Sequence, residues 1–85
     1  MNISKHEQRV LHELALGGSI HHKRLENGKI QDVTCYTRDG HILADCTTGV
    51  FKRLLKRRFI RSKNGSPYRA SALGIKSVRA QMNQR

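Results

Sequence analysis

Lys52, Arg53, Lys56 and Arg57 recur within one short run, and Arg61, Lys63 and Arg69 follow close behind. Cations at such spacing recognise anions, because they give charge-assisted hydrogen bonds to phosphate or carboxylate oxygens. The rest of the chain sharpens this. Residues 1–45 carry six Lys/Arg and six Asp/Glu, whereas residues 46–85 carry eleven Lys/Arg and no acid. The whole net charge of +11 therefore belongs to the second half. A half-chain of one sign repels itself, and that cost points to a polyanionic or strongly acidic partner. A basic surface that serves solubility alone is the plainer alternative, but soluble surfaces normally intersperse both signs.

Other chemistries find little support. His6, His12, His21, His22 and His41 are scattered, and no paired carboxylates or nucleophile elbow accompany them. The expectation is a protein that is not an enzyme and needs no cofactor. Cys35 and Cys46 with His22 or His41 could be drawn as a metal site, but the zinc-type spacing of ligands is missing. The two thiols are expected instead as small buried side chains, one in a sheet and one at a helix entrance. No apolar run approaches the roughly 20 residues of a membrane span. The segment Met1-Asn2-Ile3-Ser4-Lys5 lacks the apolar core of a secretory signal. A cytoplasmic protein with reduced thiols is the expectation.

Eighty-five residues suggest one small domain with a modest core, residues 1–85, fraying over 83–85. Ser4 and Glu7 form a capping box, and Val10, Leu11, Leu14 and Ala15 give one apolar face to a helix over 5–16, which Gly17-Gly18 stops. Two β-type runs, 19–25 and 30–37, flank Asn27-Gly28, a strong hairpin signal. Arg38-Asp39-Gly40 turns the chain into a short third strand near 41–44. Asp45 and Thr47 are both suitable caps for a second helix over 47–57, with Val50, Phe51, Leu54 and Leu55 as its buried stripe. A basic hairpin follows, 59–63 and 67–70 around Asn64-Gly65. Ser71 then caps a last helix with Ile75, Val78 and Met82 on one face. Gly74 is expected to weaken that helix by about 1 kcal/mol relative to Ala. Helix, sheet, helix, basic hairpin, helix is an α+β order. Its second half reads as winged-helix-like, with an extra β-hairpin between the first and second helices.

These elements gather the cations. At 100° per residue, Gly49, Lys52, Arg53 and Lys56 fall opposite the apolar stripe, with Arg57 on the flank. No Asp or Glu stands at i±4 to pair with them. Gly49 is unfavourable in a helix unless another backbone or a phosphate approaches closely. Arg61, Lys63 and Arg69 stand on the hairpin, which can lie along a phosphate backbone or touch a minor groove. The wing alone could be a protected sheet edge. Were the surface to neutralise about five phosphates, log affinity would fall against log salt with a slope near about −4.5. The same patch would suit an acidic protein surface.

Several runs carry a family resemblance. Val33 to Gly40, Asp45-Cys46-Thr47, Phe51 to Leu54, Ser62 to Arg69 and Val78 to Gln81 resemble the YjhX-type proteins, and the similarity extends from Ser4 through Arg85. Ala70, where an apolar branched residue would follow Tyr68-Arg69, and Gly49 depart from that pattern. The resemblance implies a bacterial toxin that inhibits DNA topoisomerase I by protein–protein contact, paired with an acetyltransferase-like antitoxin. The reading at this level is a toxin-like inhibitor of topoisomerase I that binds through a basic helix and wing. The alternative is a winged-helix, DNA-binding transcriptional regulator using the same surface.

Overall fold

The computed structural model describes residues 4–82. They form α1 (Lys5–Ala15), β1 (Ser19–Arg24), β2 (Ile30–Tyr36), β3 (Ile42–Leu43), α2 (Thr48–Lys56), β4 (Ile60–Arg61), β5 (Arg69–Ala70) and α3 (Ala72–Met82). The expected order is all there, with strands and helices trimmed by a residue or two. The fraying expected at 83–85 lies outside the described residues, as does the side-chain burial expected of Met82.

Helix α1 starts as the capping box requires: the Glu7 amide donates to Ser4 Oγ at 3.2 Å. It stops in a Schellman arrangement, in which the amides of Gly17 and Gly18 donate to the carbonyls of Leu14 and Glu13 at 3.1 and 3.0 Å. Strand β2 lies between β1 and β3 in an antiparallel sheet. The β1–β2 turn differs from the simplest expectation for Asn-Gly. The left-handed residue is Gly28 alone (φ 83°), and its amide donates to Leu25 O at 2.9 Å. This is the longer loop with a bulge, not the tight two-residue turn. The tight turn occurs instead at the tip of the β4–β5 hairpin, where Asn64 (φ 55°) and Gly65 (φ 78°) are both left-handed.

The second sheet, β4–β5, joins the first at one point. Ile20 and Tyr68 exchange two main-chain hydrogen bonds, each 2.8 Å long. One core lies beneath both sheets. Val10, Leu11 and Leu14 from α1, Ile20, Val33 and Cys35 from the sheet, and Val50, Phe51 and Leu54 from α2 all meet Phe59, Ile60, Tyr68 and Val78. The Phe51 ring stands edge-on to Tyr68 with centroids 4.9 Å apart. The result is a small α+β domain of three helices and two antiparallel sheets.

Two local expectations need correcting. Leu55 is not in the core; it is 37% exposed, because Val50, Phe51 and Leu54 centre the buried stripe and Leu55 falls on its edge. Gly74 is not simply a weak helix residue. A Cβ there would lie 2.1 Å from the Phe59 carbonyl oxygen, so glycine is what lets α3 pack directly against the chain entering β4. Among the described residues no helix is long and apolar enough to cross a membrane.

Candidate partner-binding surface

Helix α2 begins at Thr47, whose hydroxyl accepts the Val50 amide at 3.2 Å. With Val50, Phe51 and Leu54 turned inward, Gly49, Lys52 and Lys56 point to solvent, as the spacing predicted. A Cβ at Gly49 would meet only Arg53 Nη1 at 3.4 Å and Thr47 Oγ1 at 3.8 Å. Packing within the protein therefore does not demand glycine there.

Arg53 and Arg57 have a different situation. Their common neighbour is Glu7 of α1, which is 3% exposed. Arg53 Nε donates to Glu7 Oε1 at 2.8 Å, and Arg57 Nε stands 3.5 Å from Oε2. Ser4 Oγ donates to the same carboxylate at 3.1 Å. Burial by itself would push the Glu7 carboxyl up; the Arg53 guanidinium and the Ser4 donors outweigh it and hold the group below its usual range. The expectation that no acid faces these arginines was drawn along the helix. The acid comes from another helix, 46 residues away in the chain, which spacing along α2 cannot reveal. A second tie lies nearby, where Asp45 meets Arg9 Nε at 3.2 Å and His6 Nδ1 at 3.4 Å. Both ties fasten α2 and its entrance to α1.

Among the described residues the cations of the β4–β5 hairpin have no such carboxylate partner. Arg61 and Arg69 are directly opposite in the β4–β5 register, so two like charges share one face, an arrangement that is unfavourable without an anion. Arg69 Nη1 donates to the Gly17 carbonyl at 3.5 Å. At the tip, the Lys63 amide donates to Ser66 Oγ at 3.2 Å, and the Ser62 hydroxyl bonds the Ser66 carbonyl. Arg61, Lys63 and Arg69 line a hollow of about 230 Å³ with Ser66 and Pro67.

The predicted cations thus gather in three groups. Arg61, Lys63 and Arg69 form the first. Arg53, Lys56 and Arg57 border a second hollow of about 420 Å³. Lys52 borders a third, of about 510 Å³, between α2 and the β1–β2 hairpin. Arg24 and Lys29 share that third hollow, and sequence reasoning missed both because they belong to the charge-balanced half. The signal was present in the Asn27-Gly28 turn, which brings Arg24 and Lys29 together at the hairpin end; there Arg24 Nη1 bonds Gly28 O at 3.0 Å. Arg58 was also missed. It is exposed and takes φ 61° at the left-handed position that ends α2, where glycine is the usual residue.

The cysteines come together in space. Cys35 and Cys46 are both buried free thiols, and their side chains hydrogen-bond each other; that bond, with burial, pushes the Cys35 thiol far up. Among the described residues no group of three His, Cys, Asp or Glu side chains is arranged to hold a metal ion. His21 is exposed and His22 half-buried, the latter edge-on to Tyr68 at 5.2 Å.

Comparison with known proteins gives a consistent picture. A family model described as "Putative toxin of bacterial toxin-antitoxin pair", the YjhX toxin model, matches residues 1–85. A UPF0386 protein of Beijerinckia indica is 60% identical over 85 residues, covering 100% of both chains. UPF0386 proteins of Parvibaculum lavamentivorans and Aliivibrio fischeri are 56% and 54% identical over 85 residues, again covering 100% of each chain. No solved structure matches.

Proposed function

The chain belongs to the YjhX toxin family, and from that premise we propose that it inhibits bacterial DNA topoisomerase I in the cytoplasm by binding, not by catalysis. The family is one of toxin–antitoxin pairs, so an antitoxin is an implied partner, and we take an acetyltransferase-like protein as its form. Topoisomerase I as the target follows the resemblance. How the protein would bind follows from one observation: Lys52 and Lys56 on α2, and Arg61, Lys63 and Arg69 on the wing, are exposed cations with no carboxylate ion pair among the described residues. A surface so charged cannot imitate DNA. It docks on an acidic patch of the enzyme, with Gly49 allowing close approach at the start of α2. Arg53 and Arg57 contribute from the flank while also holding α1.

The second reading is a winged-helix DNA-binding regulator. The join between Ile20 and Tyr68 favours it, because it sets the β4–β5 hairpin beside β1 immediately after α2, as a wing beside a recognition helix. Lys52 and Lys56 would then enter a major groove while the wing cations hold phosphates.

A relaxation assay with purified topoisomerase I and supercoiled DNA separates the two. Enzyme docking predicts inhibition that persists near about 300 mM salt and is insensitive to excess DNA, whereas template masking fades with salt in step with DNA binding. Lys52→Glu with Lys56→Glu removes inhibition and leaves the melting transition intact. Full inhibition by that folded double variant would refute the assignment to α2.

A further inference from the structure

The hollow between α2 and the β1–β2 hairpin combines two chemistries. Its rim carries Arg24, Lys29 and Lys52, and its floor is formed by Ile30 and Leu55, with the buried Phe51 and Tyr68 rings beneath them. Among the described residues no acidic side chain lines it, and neither Lys29 nor Lys52 makes an ion pair or hydrogen bond through its side chain. Leu55, at 37% exposure, and Leu25 on the adjoining hairpin, at 44%, are large apolar side chains left open to solvent. At about 510 Å³ the hollow is of small-ligand size and accommodates a few side chains of a peptide, not a folded domain.

The pairing of rim and floor discriminates between anions. A phosphate backbone satisfies cations but has nothing to place against isoleucine and leucine, and the rings on which nucleotide bases could stack are buried. An acidic peptide with an aliphatic anchor satisfies both, carboxylates on the rim and the anchor on the floor. We infer that this cleft is a docking site for an acidic segment of a protein partner, one carrying leucine or isoleucine between its carboxylates. The inference is independent of topoisomerase inhibition. It assigns a different flank of α2, shares only Lys52 with the surface proposed above, and holds whether or not the enzyme is the target.

The test is fluorescence anisotropy of the full chain with three labelled probes of equal charge: an amphipathic Glu/Leu peptide, the same peptide with every Leu replaced by Ser, and a single-stranded oligonucleotide. The leucine peptide binds at least tenfold more tightly than the serine peptide, and more tightly than the oligonucleotide. Lys29→Glu, on the exposed hairpin and away from the core, weakens the leucine peptide by about tenfold or more, as does Leu55→Ser. Lys76→Glu, with the same charge change on α3, leaves that affinity within about twofold. Equal affinity for the leucine and serine peptides, tighter binding of the oligonucleotide, or equal losses from Lys29→Glu and Lys76→Glu would each overturn the inference, the last two by showing a general polyanion surface. Absence of leucine-peptide binding by the folded parent overturns it as well, and leaves the relaxation assay to judge the topoisomerase reading separately.

Discussion

The Glu7 carboxylate offers the sharpest single perturbation. Glu7→Gln keeps the shape and can still cap α1, since Gln also serves at that position of a capping box. It removes only the negative charge that Arg53 and Arg57 share at 2.8 and 3.5 Å. A charge-assisted hydrogen bond contributes about 1.5–3 kcal/mol and a neutral one about 0.5–1.5 kcal/mol. The Arg53 side chain is 53% exposed, so water screens part of the difference. The lower cost of burying a neutral amide offsets a further part. The expected loss is about 1–2 kcal/mol at pH 7, or about 4–16 °C in Tm for a domain of this size. The pH dependence has a definite sign. Glu7 titrates lower in the folded chain than its ordinary 4.5, so its contribution is complete above that value and is lost as pH falls through the folded value. Urea melts of parent and variant therefore differ at pH 7 and converge under acid conditions, while the titrations of all other carboxylates cancel in the comparison. Equal stability at pH 7, or a gap that stays constant into acid, would refute the claim that the ion pair fastens α1 to α2.

Three further changes test the fold. Phe51→Ala removes a fully buried ring and costs about 3–5 kcal/mol; an unchanged thermal melt would contradict its place in the core. Gly74→Ala, favourable by helix propensity, destabilises by about 1–3 kcal/mol, because the added carbon would lie 2.1 Å from the Phe59 carbonyl; a higher Tm would show that α3 packs less closely. Arg58→Gly stabilises by about 1 kcal/mol, since glycine adopts the left-handed φ of 61° without steric penalty. A lower denaturation midpoint in urea would mean that the Arg58 side chain has a structural role.

Local signals in the sequence carried most of the architecture. Ser4 with Glu7, Gly17-Gly18 and Thr47 each act within a few residues of themselves, so their helix boundaries could be read directly. The outward set Gly49, Lys52 and Lys56 could be read for the same reason. What escaped was set by distant neighbours. Glu7 meets Arg53 through the packing of α1 on α2. Gly74 is fixed by a carbonyl fifteen residues earlier in the chain. Arg24 and Lys29 join Lys52 only because the hairpin folds back over α2. Leu55 illustrates a subtler limit: periodicity places it in the buried stripe, but a narrow core leaves that edge of the helix uncovered.

The seam between the two halves has a consequence for dissection. The acid-bearing N-terminal portion supplies Val10, Leu11, Leu14 and Ile20, and the acid-free portion supplies Phe51, Leu54, Phe59 and Tyr68, to a single interior. Separating the portions would open that shared interior to water on both sides. A synthetic fragment spanning only the later residues is therefore expected to be a loose polyelectrolyte, and its adhesion to nucleic acid would say nothing about the intact protein. Conversely, the two fragments mixed together possess every contact needed to reassemble, which makes the chain a natural candidate for a split, complementation-based reporter.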